Sequence, residues 1–199
     1  MSDIFVIDDV IPKADQDRVE KLMFSKNLFW TFFDDVALSD HETKLLGINK
    51  KTPAIGCYFK QENPPYFFGR MYFEVENIPR QAAKKASIKF DSIVDARSFL
   101  MFPLHEDARK EYDNIHVDMV EDHWVCLYYV NDSDGDTVLF KQTKEDMNGD
   151  FEVFKNTKFE PLQRVTPKKG RAVLFNGNRY HSSTAPTKGV RCILNFDLR

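Results

Sequence analysis

Apolar and polar positions change texture along this chain near Ser98. Before it, Ile4-Phe5-Val6-Ile7 is a short apolar run stopped by Asp8-Asp9, which predicts a strand. After Ile11-Pro12, Val19, Leu22 and Met23 fall on one helical face and predict a helix. Asn77, with Pro79 in the first turn, predicts a capped second helix running to about Phe90. Between the helices, 27–73 is aromatic-rich and broken by turn signals such as Asn63-Pro64-Pro65. Its Phe29, Trp30, Phe32, Phe33, Tyr66, Phe67 and Phe68 are expected to pack the flank of the core, a substrate wall being the alternative.

From Ser98 onward short apolar or alternating runs follow one another, at 98–104, 112–119, 124–130, 137–140, 151–154, 162–165, 172–175 and 190–198. Turn residues such as Asn131-Asp132-Ser133-Asp134-Gly135, Asn148-Gly149 and Asn176-Gly177 separate them. Strands at that spacing predict an antiparallel sandwich or jelly roll. The expected class is α+β: a double-stranded β-helix core with the N-terminal helices packed on one sheet. A single domain, 1–199, is expected, with its core over about 98–199 and helical and loop support over 1–97.

Composition narrows the function classes. With 199 residues, 42% hydrophobic and 18 Phe, the chain can bury a full core. A net charge of -3 with scattered lysines argues against a nucleic-acid partner. No apolar run suits a membrane span or a signal peptide, and Cys57, Cys126 and Cys192 each sit in an apolar run as expected of reduced, buried thiols. A soluble, cytoplasmic protein is expected.

The candidate chemistry begins with His116-Val117-Asp118. Residues i and i+2 of a strand share a face, about 6.6 Å apart, so two such side chains can converge on one metal ion. Joined by a distant histidine, they make a facial triad with open positions. With 31 acidic residues in 199, a His-x-Asp pair is weak evidence alone, and His105-Glu106-Asp107 matches too. That pair sits in a charged, loop-like setting, whereas Ile115 and Val117 alternate cleanly with His116 and Asp118. His181 follows the 172–175 strand and is the third candidate. Ten residues on, Arg191 lies in an otherwise apolar strand with Ile193 and Asn195 on its face. An arginine there needs an anion, from either an acidic side chain or a ligand carboxylate.

Taken together, His116-x-Asp118, His181 and Arg191 resemble the 2-oxoglutarate/Fe(II) oxygenase superfamily, and within it the prolyl-4-hydroxylase-like branch. Cys126-Leu127-Tyr128-Tyr129-Val130-Asn131 is similar to a Tyr-Tyr strand of oxygen-sensing prolyl hydroxylases, and Phe5-Val6-Ile7-Asp8-Asp9-Val10-Ile11-Pro12 to the opening of such domains. The resemblance implies Fe(II) held by His116, Asp118 and His181, and 2-oxoglutarate held by Arg191 and Tyr129. Ser183, Asn195 and Phe102 would line the pocket, Phe102 standing where these hydroxylases can have a tyrosine. It implies consumption of O2, release of succinate and CO2, support by ascorbate, and hydroxylation of a C–H bond, because Asp118 is retained where related halogenases leave a vacancy for chloride. Proline in a peptide or protein is the implied substrate. The alternatives are a small molecule, a methylated nucleobase, or a jelly-roll binding module without turnover. Asp132-Ser133-Asp134-Gly135-Asp136 departs from a calcium loop and reads as a hairpin turn. His41, His105 and His123 read as surface side chains.

Overall fold

A computed structural model describes residues 3–37, 40–47 and 51–199. In chain order the elements are β1 (Ile4–Ile7), α1 (Lys13–Met23), β2 (Thr31–Phe33), α2 (Asp40–Leu46), β3 (Ala54–Gln61), β4 (Tyr66–Phe67), α3 (Gly69–Val75), α4 (Asn77–Ala86) and β5 (Ile93–Met101). Then follow β6 (Trp124–Tyr129), β7 (Thr137–Thr143), α5 (Lys144–Met147), α6 (Phe151–Asn156), β8 (Pro161–Val165), β9 (Ala172–Asn176), β10 (Arg179–Ser183) and β11 (Arg191–Leu198).

The strands form two antiparallel sheets. The larger runs β1-β9-β6-β11-β5-β3-β2 with β4 on β3, and the smaller runs β10-β7-β8. Alternation along the central strands sends their side chains two ways. Val125, Leu127 and Tyr129 of β6, with Ile193 of β11, share a buried cluster with Leu139 and Val165 of the small sheet. Cys126, Tyr128, Leu194 and Phe196 share another with Val19 and Met23 of α1, Val75 of α3, and Ile78 and Ala82 of α4. The three cysteines are buried and unpaired. Among the described residues no helix is long and apolar enough to cross a membrane.

Several expected elements differ. The 151–154 run is helical, because Asp150 accepts hydrogen bonds from the amides of Glu152 and Val153 and caps α6. Asn77 lies inside α4, whose cap position is Glu76 without a side-chain bond; the helix stops at Ser87 in the left-handed region. The Asp132–Asp136 stretch is no hairpin: it crosses from β6 in the large sheet to β7 in the small one. β3 forms from the aromatic-rich segment and pairs with β5, so strands before residue 98 belong to the large sheet. The aromatics around β3 do not pack the core as a set, since Phe29 is 82% exposed and Phe32, Tyr66 and Phe67 are also exposed.

The 112–119 segment is not a regular strand. It lies along β10, with the Asp113 amide donating to the Ser183 carbonyl and His116 exchanging two 3.0 Å backbone bonds with His181. Three residues on one side thus span two on the other. That irregularity breaks the ladder and leaves a single bridge at His116 and His181.

Candidate metal centre

The bridge sets the site. It brings the two imidazoles to a ring separation of 4.5 Å, with Asp118 beyond them. His181 Nε2 lies 3.4 Å from Asp118 Oδ2, and His116 Nε2 3.9 Å from Asp118 Oδ1. Donor atoms of the three residues all fall within 4.8 Å of one another. Each ring is oriented from behind: Nδ1 of His116 lies 2.9 Å from the Asn114 carbonyl, and Nδ1 of His181 lies 3.3 Å from the Arg179 carbonyl. A carbonyl only accepts, so the proton sits on Nδ1 and the Nε2 lone pair faces the centre, as metal-binding histidines require. Burial, reinforced by the neighbouring His181, pushes His116 down to about 4, keeping it neutral at physiological pH. Burial alone would raise Asp118, but the Arg97 guanidinium and His181 outweigh it and hold the carboxyl well below its usual range. Two imidazoles that each turn Nε2 to the centre, with one carboxylate, suit a divalent ion of the iron type.

A narrow cavity leads inward from the triad, walled by Phe99, Leu127 and Ile193 and ending at Thr137 and Arg191. Arg191 is 2% exposed. Its Nε donates to the Gly135 carbonyl at 2.9 Å and its Nη2 to Thr137 Oγ1 at 2.9 Å, while Nη1 lies 3.3 Å from Met101 Sδ. Among the described residues no carboxylate lies within ion-pair distance of it. Tyr129 donates to the same Thr137 hydroxyl at 2.8 Å, one hydroxyl removed from the cavity, and burial pushes it up to about 12. Ser183 lines the cavity and donates to Asp113 Oδ2 at 2.7 Å. Asn195 lines it too, its Nδ2 3.4 Å from each Asp118 oxygen and its Oδ1 buried without a partner. Phe102 is outside this cavity and 48% exposed, since one step along β5 turns Met101 inward instead.

On its outer side the triad opens to a polar mouth of about 540 Å³, lined by Tyr58, Gln61, Glu62, Asp95, Arg97 and Glu121 among others. An apolar cleft of about 150 Å³ reaches His116 from another side, past Ile115, Val117, Phe154 and Tyr180.

Strand β5 of the large sheet, which contributes Phe99 and Met101 to this cavity, also carries Arg97, facing Asp118. The overall architecture is shared with solved structures. A 2OG-Fe(II) oxygenase-family oxidoreductase from Burkholderia pseudomallei aligns with a TM-score of 0.65 at 8% identity, covering 98% of this chain and 84% of that one. The epimerase SnoN from nogalamycin biosynthesis gives 0.67 at 10%, covering 98% and 78%. This chain has the 2OG-Fe(II) oxygenase fold. A Trichoplax adhaerens prolyl hydroxylase, solved with a hypoxia-inducible-factor peptide, shares that fold at a TM-score of 0.60 and 10% identity, covering 98% and 83%. No family model matches the sequence, and no curated protein matches it either.

Within this oxygenase fold the sequence-predicted His116, Asp118, His181 and Arg191 converge on one cavity. His105 and Asp107 do not: their side chains are 81% and 93% exposed. His123 is buried, not superficial. Its ring packs where a Cβ on Gly177 would come within 2.3 Å, and its Nε2 lies 3.9 Å from Asp197 Oδ1. His123, Asp197 and Asp118 form a second group of donors, but Arg97 already occupies an oxygen of both carboxylates. Thr137, Met101, Arg97 and Asp197 escaped the sequence reading. For Arg97 a signal existed, Asp95 and Arg97 at alternate spacing in a strand that is apolar at 93–94 and 99–101; Thr137 offered none.

Proposed function

We propose that this chain, taken as one domain over 1–199, is a 2-oxoglutarate- and O2-dependent Fe(II) oxygenase that hydroxylates a prolyl residue in a peptide or protein. His116, Asp118 and His181 would hold the metal, and Arg191 the far carboxylate of 2-oxoglutarate. One observation carries this reading: Arg191 is buried at 2% exposure with only neutral hydrogen-bond partners, and Asp113 and Asp136 act on it only from beyond ion-pair distance. Burying a cation without an anion is costly, and a dicarboxylate reaching inward from the triad supplies the missing charge.

When bound, the iron and its cosubstrate would supply the oxidising chemistry, with succinate and CO2 as products. The chain's own groups bind and orient. The Asn114 and Arg179 carbonyls fix both imidazoles. Thr137 accepts from Arg191 and Tyr129 at once and so aligns the guanidinium, Tyr129 acting through it. Phe99, Leu127 and Ile193 keep water from the inner pocket. Helices α1, α3 and α4 are read as a brace behind the large sheet, holding β6 and β11 in register.

For a peptide, support comes from a surface groove of about 430 Å³ that shares Tyr58 and Gln61 with the mouth and continues past Phe29, Pro64, Pro65 and Tyr66. Exposed aromatics and an edge strand suit an extended chain. The polar mouth favours a second reading, oxidation of a small polar molecule.

The test is succinate formation from 2-oxoglutarate with Fe(II), ascorbate and O2, beside His116→Ala and an anaerobic Fe(II)/2-oxoglutarate binding titration. Wild-type succinate that His116→Ala abolishes is the expected result. Absence of both binding and turnover sinks the reading and leaves a jelly-roll binding module. Product analysis with proline-containing peptides and with small polar acceptors separates the two substrate classes.

A further inference from the structure

Arg97 sits on β5 beside the triad, its side chain 9% exposed, two positions after Asp95 on the same strand face. Its Nη2 donates to Asp118 Oδ1 at 2.6 Å and its Nη1 to Asp197 Oδ2 at 2.5 Å, with Asp95 Oδ2 at 3.5 Å. The Asp197 side chain is wholly buried and comes from β11, four positions after Ile193 on the same face. The guanidinium is thus clamped between a fixed carboxylate behind and the candidate ligand in front. Asp118 Oδ1 takes the short charged bond from Arg97 and lies 3.9 Å from His116 Nε2, whereas Oδ2 has only longer contacts, 3.4 Å to His181 Nε2 and 3.4 Å to Asn195 Nδ2, which is equally far from Oδ1.

We propose that Arg97, anchored by Asp197, is a positioning residue that occupies one oxygen of Asp118 and so makes it a one-oxygen metal ligand. The inference rests on the metal-centre reading and deepens it. A count of positions gives the reason. Two histidines and one carboxylate oxygen would leave places on a bound divalent ion for a bidentate keto acid and for O2. If Asp118 swung to bind through both oxygens, it would fill the position that O2 needs. A guanidinium fork held at its far end by Asp197 blocks that swing.

Charge alone makes the opposite forecast. A cation beside a metal repels it, so deleting Arg97 should tighten metal binding if repulsion were its only effect. Positioning predicts weakening, since outer-shell partners of a ligand are worth roughly 10- to 100-fold in metal affinity.

The experiment is an anaerobic Co2+ titration, followed by the visible d–d bands, of wild type, Arg97→Gln, Arg97→Lys and Asp197→Asn, with circular dichroism as the folding control. Arg97→Gln is expected to raise the Co2+ Kd about 10-fold or more and to alter the band pattern as the second Asp118 oxygen is freed. Arg97→Lys, which keeps a donor to Oδ1, should recover part of both. Asp197→Asn retains Arg97 but loosens its anchor, and should weaken binding in the same direction by less. Unchanged or tighter Co2+ binding with wild-type bands in Arg97→Gln overturns the proposal. Should that variant fail to fold, unchanged binding in Asp197→Asn overturns it instead. Failure of wild type to bind Co2+ in a manner that His116→Ala abolishes is a different result: it removes the metal centre itself, and the proposal with it.

Discussion

The inner pocket and the outer mouth are built by opposite means, although both touch the same triad. At the inner end Arg191, Thr137 and Tyr129 are buried, and the Thr137 hydroxyl meets the other two at 2.9 and 2.8 Å. Regular strands hold them: β11 carries Arg191 between β5 and β6, and β7 carries Thr137. The mouth draws on the 116–121 segment, the end of β3 and the 61–63 turn, and many of its residues are exposed. An apolar-walled end with a buried cation that has no ion-pair partner suits a constant ligand. A wet, loop-built end suits whatever varies. The difference teaches where to seek generic chemistry and where to seek specificity.

The comparison breaks most severely at the inner end. Arg191→Ala should raise the 2-oxoglutarate Kd by two orders of magnitude or more, since breaking a buried charge pair costs about 3–5 kcal/mol; anaerobic titration reads it. Thr137→Val leaves two buried donors, Tyr129 Oη and Arg191 Nη2, without their shared acceptor. A loss of roughly 1–3 kcal/mol in stability, by urea denaturation, and about tenfold weaker 2-oxoglutarate binding are expected. Gly135→Ala should act similarly, because its Cβ would meet the Thr184 carbonyl at 2.6 Å and Arg191 Cδ at 3.0 Å. Overpacking of this kind costs about 1–3 kcal/mol.

Phe29→Ala in the outer groove should leave stability within about 0.5 kcal/mol and cosubstrate binding unchanged. Its effect is expected in the peptide KM alone, a few-fold at most, and an unchanged KM removes the groove from substrate binding. The smallest effect concerns pH in the metal-free protein. Burial lowers His116 to about 4, so the unfolded chain binds its proton first, and stability falls as pH drops below about 6.5. Burial, with the Asp118 charge, raises Asp197 to about 7 despite Arg97, so the folded chain binds that proton first and gains stability as pH drops through the same window. The two oppose each other, and denaturation midpoints should shift little between pH 6.5 and 5, by under about 1 kcal/mol. Asp197→Asn removes the offsetting half and should expose a decline on acidification.

Legibility followed the same division. His116, Asp118, His181 and Arg191 could be grouped from their spacing, although the alternation over 112–119 that suggested a strand yields a single bridge, at His116. The inward face of β11 was likewise readable from Arg191 through Asn195. By contrast, α6 looked like a strand because Phe151 to Phe154 is short and apolar, and only the Asp150 cap decides for helix. β10 was overlooked because Arg179-Tyr180-His181-Ser182-Ser183 is too polar to stand out, its burial being supplied by neighbours. His123 was misjudged because Glu121 and Asp122 precede it; what buries it is Gly177, 54 positions away, on the tight turn into β10. Arg97 gains its meaning from Asp197, a hundred residues downstream. Partners so distant are chosen by tertiary packing, which no local pattern encodes.

The paired backbone bonds between His116 and His181 have a consequence for how the chain would age and turn over. With the bonds between Asp113 and Ser182–Ser183 they tie an irregular segment to the small sheet, and an ion gripped by both side chains would add a further tie. Metal would then serve as a clasp as well as a reagent. Loading it should slow amide exchange at His116 and His181 and protect the 104–121 stretch from proteases. Iron supply would in that way set the lifetime of the protein along with its activity.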